Sequence, residues 1–355
     1  MIFPFGKFQD FLDRNERSFY SLLPKQSPLF WIKKLKENNP AMNLKKTFVA
    51  TAACMIFLTT GCAYLGMNTI PLQDLKSKYA DSESKIIHID NMDIHYKDEG
   101  QGPVLILLHG VCASLHTWDG WVQRLKGHYR IIRLDIPGFG ITGPAPDPSL
   151  YQIEPAVELF EKLVDEMKLE KFYIAGNSLG GYIAWNYTLK HPEKVEKLIL
   201  IDSVGFPQPL PWLLSFASNP IVRPFARHMM PRFLFDMAVK EVYGDPSKVT
   251  KELRDRYFEL AMREGNKSSY VDVFTVMRKL CKNENLAQGI SDIKTPTLVM
   301  WGTKDKWIPF KYFENWKKAL PNAKFIQYEG AGHTPMEEIP DETARDAHYF
   351  LSGKL

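Results

Sequence analysis

Ser178 stands in the run Gly176-Asn177-Ser178-Leu179-Gly180, between an apolar stretch ending at Ala175 and a second one beginning at Tyr182. A serine hydroxyl is a weak nucleophile until a base takes its proton, and an imidazole near neutral pKa suits that task. Of the nine histidines, His333 is the candidate, because Gly330-Ala331-Gly332 before it keeps its loop tight. The imidazole needs a carboxylate to fix its tautomer and stabilise its charged form. Asp305, in Gly302-Thr303-Lys304-Asp305, keeps the order Ser, Asp, His. Asp202 is its rival, one strand earlier, and Asp305 is preferred on the geometry of strand ends. A tetrahedral intermediate would need donors for its oxyanion, and the backbone N–H groups of Val111 and Leu179 are placed to serve. His109 and Gly110 are expected to shape the loop before Val111. Gly176 and Gly180 are expected to let a strand and a helix pass closely. Asp135 is expected to tie down its own turn, and Glu337 and Glu338 to begin the last helix.

These groups must be carried to one place by the elements between them. Residues 85–100 alternate and turn at Asp90-Asn91, a β-hairpin pattern. Val104 to His109 is a continuous apolar run, as in a strand buried on both faces. A helix follows near Trp118–Leu125, then a strand ending at Asp135, a helix over about 154–167, the strand 171–176, a helix over 179–191 and a strand ending at Asp202. Strand and helix in alternation imply right-handed crossovers and one parallel sheet. The alternation lapses over residues 204–293, too long for a simple connection, so that stretch reads as an inserted helical cap. It resumes with a strand at 297–302, a helix at 311–320, a strand from Lys324 and a final helix over about 338–352. Candidate chemistry thus falls after the carboxyl ends of strands, where open α/β sheets bind ligands.

A chain of 355 residues, 45% hydrophobic and 24% charged, has material for a large core, and its net charge of +4 is spread along the sequence. No basic patch interleaved with aromatics suggests nucleic acid, no repeat is present, and no Cys/His cluster has zinc spacing. From Met42, Lys45 and Lys46 precede an uncharged run that is signal-like in length and shorter than a membrane span. It closes on Thr60-Gly61-Cys62. Residues 1–41 are expected to be an over-long start, 42–62 a signal peptide and 63–84 a tether, with the core in 85–203 and 294–355. Cys112 and Cys281 are left as two thiols whose pairing the sequence leaves open.

Six ordered stretches, HGVCASLHTW, DIPGFG, GNSLGG, HPEKVEKLILID, WGTKDKWIP and GAGHTPMEEIP, resemble the α/β-hydrolase superfamily over roughly residues 85–353. The resemblance implies an α/β-hydrolase fold: a mostly parallel eight-stranded sheet, helices on both faces and an inserted cap. Within the superfamily the chain is similar to capped serine esterases and monoacylglycerol lipases, and Thr60-Gly61-Cys62 is similar to the lipobox of bacterial lipoproteins, whose cysteine is acylated. It therefore implies Ser178, Asp305 and His333 as catalytic residues of a serine carboxylic ester hydrolase acting on lipid-like esters, with no metal or organic cofactor. It also implies an exported lipoprotein anchored through Cys62 at the outer membrane or periplasmic face. Carbon–carbon bond hydrolases share the Gly-Asn-Ser-x-Gly-Gly pattern, cofactor-free perhydrolases are compatible with it too, and a catalytically silent binding protein can be built on the same fold. Cys112 departs from the glycine or small residue that many members carry there.

Overall fold

The computed structural model describes residues 65–355. Its strands are β1 (Ser84–Ile89), β2 (Met92–Glu99), β3 (Val104–Leu108), β4 (Arg130–Leu134), β5 (Phe172–Asn177), β6 (Val195–Ile201), β7 (Thr297–Gly302) and β8 (Lys324–Tyr328). The helices of the sheet layers are α2 (Asp119–Leu125), α3 (Ile153–Glu166), α4 (Leu179–Lys190), α10 (Lys311–Ala319), α11 (Pro335–Glu338) and α12 (Pro340–Leu351), while α1 (Leu72–Tyr79) precedes the sheet. The connection from β6 to β7 carries α5 (Trp212–Ala217), α6 (Arg223–Ala226), α7 (Arg232–Glu241), α8 (Lys251–Ala261) and α9 (Asn266–Leu280).

The eight strands lie in the order β1-β2-β4-β3-β5-β6-β7-β8. Only the β1–β2 and β2–β4 pairs are antiparallel, and the remaining pairs are parallel. β3 shows why such strands must be apolar throughout: Ile106 and Leu108 enter the core on one face, and Leu105 and Leu107 the core on the other. The first core takes in α3, α4 and α10 through residues such as Phe160, Ile183 and Trp316. The second takes in α2 and α12 through Trp121, Leu125, Ala347 and Phe350. The fold is the α/β-hydrolase fold.

Two expectations change. Residues 63–84 are not a free tether over their described part. Ile70 donates its N–H to the Met262 carbonyl and accepts from the Glu264 N–H. Lys267 Nζ donates to the carbonyls of Gly66, Met67 and Asn68 at 2.9, 3.0 and 2.6 Å. In α1, Leu75 is buried with Ile141 and Leu260, and Lys78 and Tyr79 both bond Glu259 on α8. The segment is a strap against the inserted helices. The final helix also begins later than Glu338, since Pro335–Glu338 forms a separate short turn and α12 starts at Pro340, where a proline's missing N–H costs nothing.

Cys112 and Cys281 are free thiols. Among the described residues no helix is long and apolar enough to cross a membrane. The signal-like segment 42–62, with Cys62, and residues 1–41 lie outside the described residues.

The closest backbone approach near Ser178 is at Gly180, where a Cβ would lie 2.2 Å from the Leu108 carbonyl oxygen and 2.6 Å from that of His109. Gly180→Ala is therefore expected to destabilise the protein by about 3 kcal/mol, lowering the calorimetric melting temperature by roughly 5–10 °C; an unchanged melt would contradict this packing.

Candidate active site

The turn from β5 into α4 puts Ser178 in a left-handed backbone conformation, φ 54° and ψ −113°. That geometry is costly for a side chain bearing a Cβ and persists only where neighbours hold it. The neighbours are present: Ser178 donates its N–H to the Ile201 carbonyl at 3.1 Å and accepts from the Val204 N–H at 3.2 Å. Glycine is required on both sides, because a Cβ at Gly176 would meet the Gly180 carbonyl at 2.3 Å. Ser178 is thereby fixed at the N-terminus of α4, where free N–H groups favour negative charge.

His333 lies in the loop between β8 and α11, 3% exposed. Its Nδ1 bonds Asp305 Oδ2 at 2.7 Å. The other Asp305 oxygen accepts the N–H groups of Trp307 and Ile308 at 2.7 and 2.9 Å, which replace the water a buried carboxyl has lost. With Nδ1 committed to Asp305, Nε2 is the ring nitrogen left to take a proton. Asn177, immediately before Ser178, donates from Nδ2 to the His333 carbonyl at 3.0 Å and to that of Ile201 at 3.1 Å, so the serine turn and the histidine loop are joined directly.

Gly110 brings a third segment to the same point: a Cβ there would lie 3.0 Å from Ser178 Cβ. The loop is shaped by His109, which is fully buried. Its Nδ1 donates to the Gly110 carbonyl at 2.7 Å and its Nε2 accepts the Ile136 N–H at 2.9 Å. Both nitrogens are used by one neutral tautomer, and burial pushes its pKa down, so His109 serves the backbone. Among the described residues neither the Val111 nor the Leu179 N–H has a protein acceptor. Cys112 takes φ 60°, which explains why glycine suits that position, and burial raises its thiol pKa well above the ordinary value, leaving it a poor nucleophile.

Asp135 is held in its own turn by Leu115 and Ile141 N–H groups and by His95 Nδ1. Burial opposes its ionisation, but those partners hold its carboxyl well below the usual range. Asp202 is buried beside the pair, with one oxygen, an Asp305 oxygen and a His333 nitrogen all within 4.8 Å of one another. Three such groups invite the question of a metal. Asp305 already has three N–H donors and Asp202 Oδ1 takes the Gly302 N–H at 3.0 Å, so of the four carboxylate oxygens only Asp202 Oδ2 is without a partner. The set does not fit a cation.

Glu338 has a larger part than helix initiation. Its carboxylate accepts three backbone N–H groups, from Gly244 at 2.9 Å, Asp245 at 2.9 Å and Gly332 at 2.8 Å. His333 itself donates its N–H to the Val242 carbonyl at 2.7 Å. The end of α7 and the histidine loop are thus sewn together, and no spacing in the sequence announces it.

A cavity of about 300 Å³ opens onto Gly110, Val111, Asn177 and His333. The inserted helices supply most of its wall, including Leu213, Met229, Leu234, Phe235 and Phe274, and among the described residues no Lys, Arg, Asp or Glu lines it.

A sequence description of the alpha/beta hydrolase fold family matches residues 103–340. The chain belongs to that family. Lipase 1 of Psychrobacter immobilis is 28% identical over 291 residues, covering 79% of this chain and 84% of the relative. A 2-hydroxy-6-oxo-6-phenylhexa-2,4-dienoate hydrolase of Comamonas testosteroni is 26% identical over 290 residues, covering 78% and 96%. Among solved structures, a membrane phospholipase A described as a bacterial virulence factor superposes with a TM-score of 0.67 at 25% identity, over 87% of this chain and 99% of that one.

In this member of the family, Glu338→Ala would strip three N–H groups of their acceptor, that of Gly332 buried and those of Gly244 and Asp245 partly so. It is expected to cost about 2 kcal/mol and to lower kcat by loosening the His333 loop; thermal melts and steady-state kinetics side by side check both effects, and an unaltered melt would contradict them.

Proposed function

We propose that the protein is a serine hydrolase of carboxylic esters with apolar acyl chains, acting through an acyl-enzyme. In this reading Ser178 Oγ attacks the ester carbonyl while His333 Nε2 takes its proton, and Asp305 stabilises the imidazolium through Nδ1. The Val111 and Leu179 N–H groups receive the oxyanion. The imidazolium then protonates the leaving alcohol, and a water activated by the same nitrogen releases the acid.

The observation that carries the choice of substrate is the cavity lining: apolar from the inserted helices down to His333, with no charged side chain. An alkyl chain is favoured there and an ionised group has no partner. The carbon–carbon hydrolase relatives are as similar in sequence as the lipases, and their names specify dienoate substrates, which carry a carboxylate. The absence of a cation from the lining favours the ester. Phe216 and Phe225 line the cavity and are 51% and 66% exposed at its outer side, an apolar rim suited to substrates drawn from a lipid phase.

Each methylene buried is worth about 0.8 kcal/mol, or roughly fourfold in kcat/KM when it is buried in the transition state. With p-nitrophenyl esters of rising chain length, kcat/KM is expected to climb by up to about that factor per methylene until the cavity is filled, and Ser178→Ala is expected to abolish turnover by at least about 10³-fold. Equal rates in wild type and variant, or turnover confined to vinylogous diketone acids, would refute the reading.

Membrane attachment is proposed on the sequence alone: an exported lipoprotein acylated at Cys62. Mass spectrometry of the mature protein is expected to find an acylated N-terminal Cys62, and a mature chain beginning at Met1 would contradict it.

A further inference from the structure

Asp202 is a second carboxyl group at the heart of the site, and the proposed reaction gives it no task. Its side chain is fully buried. Its backbone is left-handed, φ 44°, a conformation that tends to be retained where function over-determines it. Its N–H is held by the Met300 carbonyl at 3.0 Å. Oδ1 accepts the Gly302 N–H at 3.0 Å, so the residue is anchored to the end of β7. Oδ2 is buried and no donor reaches it, although one Asp202 oxygen, an Asp305 oxygen and a His333 nitrogen all lie within 4.8 Å of one another.

Two buried carboxyl groups this close cannot both be ionised without large cost. The charged groups that face Asp202 are Asp305 and Glu338 and His333; among the described residues no cation is found beside them other than the imidazolium that forms during the proposed reaction. A proton must therefore sit on one of the two aspartates, and the hydrogen bonds decide which. Asp305 receives three N–H donors, two of them on Oδ1 and the imidazole on Oδ2, so both of its oxygens are already committed as acceptors. Asp202 receives one, leaving Oδ2 bare. Burial first, and the charge of Asp305 second, push the Asp202 carboxyl well above the usual carboxylate range.

We propose that Asp202 is a positioning residue: it is held as a neutral carboxylic acid whose Oδ2–H donates to the Asp305 carboxylate, fixing that carboxylate against His333 and moderating its charge. The rival acid and the preferred one then belong to one relay, in which Asp202 never touches substrate. A fourth donor on Asp305 spreads its negative charge, so the imidazole is less strongly held in its protonated form and is free to act as base at lower pH. The inference rests on the reading of Asp305 and His333 as acid and base. Its first test, however, does not depend on activity.

That test is infrared difference spectroscopy of wild type against Asp202→Asn at neutral pH. The wild-type spectrum is expected to contain the C=O band of a protonated, buried carboxylic acid that the variant lacks; no such band would overturn the proposal even if Ser178, Asp305 and His333 act as described. The second is the pH profile of kcat/KM. Asp202→Leu removes the donor, so the acid limb, set by the imidazole, is expected to move up by about 0.5 unit or more, with kcat down about tenfold and KM within twofold. Asp202→Asn can accept from Gly302 at Oδ1 and donate to Asp305 from Nδ2, so it is expected to bring the limb back to within about 0.3 unit of wild type and recover most of kcat. An ionised Asp202 predicts the opposite sign, the limb falling in both variants, and that result overturns the proposal. So does an unchanged profile in Asp202→Leu. Should Asp202→Leu fail to fold, the infrared band and the Asp202→Asn limb decide between the same outcomes.

Discussion

The bond from His333 Nδ1 to Asp305 Oδ2, 2.7 Å long and sealed from water, is the contact on which the rest of the site depends. A carboxylate in such a place is tolerable only if hydrogen bonds replace the water it has lost, and Trp307 and Ile308 supply them through their backbone N–H groups. Fixing Nδ1 as donor leaves Nε2 as the uncommitted nitrogen, so one interaction chooses the tautomer, the ring plane and the direction of the proposed proton transfer. The sheet exists, from the site's standpoint, to deliver the serine turn after β5, the Asp305 loop after β7 and the His333 loop after β8 to one edge. Buried parallel strands hold those ends in register because both faces are packed.

Rigidity around this bond comes from backbone contacts. Asn177 ties the serine turn to the His333 carbonyl, and Glu338 ties the same loop to the end of α7. Gly332 and Gly244 allow the two chain segments to pass: a Cβ at Gly332 would lie 2.4 Å from the Val242 carbonyl, and one at Gly244 1.9 Å from that of Gly330. The inserted helices are therefore joined to the histidine loop as well as roofing the cavity, and the strap of residues 65–84 braces their other end at Met262, Glu264 and Lys267. Substrate selection by the proposed acyl cavity and positioning of the proposed base share one set of hydrogen bonds.

Much of this was legible in sequence, for a physical reason. A strand buried on both faces must be a continuous apolar run, so β3, β6 and β7 declare themselves. A strained turn needs small residues on both sides, so Ser178 does as well. The α1 strap was not legible, because a helix with one buried residue, Leu75, has the composition of a linker. Glu338 was hidden because its partners are backbone N–H groups, which leave no trace in residue type. Asp202 and Asp305 could be ranked as rivals from their strand ends, but only the folded chain shows that both converge on His333, and that the difference between them is the number of N–H donors each receives.

For the proposed chemistry, Ser178, His333 and the free amides must act on one carbonyl. The most direct measurement is a crystal structure after reaction with a long-chain alkyl phosphonate, whose tetrahedral phosphorus mimics the intermediate. Phosphorus bonded to Ser178 Oγ is predicted, with His333 Nε2 within hydrogen-bond reach of a phosphonate oxygen, another oxygen about 2.7–3.1 Å from the Val111 and Leu179 nitrogens, and the alkyl chain in the apolar cavity. A phosphonate attached elsewhere, or attached to Ser178 with the imidazole turned away from it, would contradict the proposed mechanism.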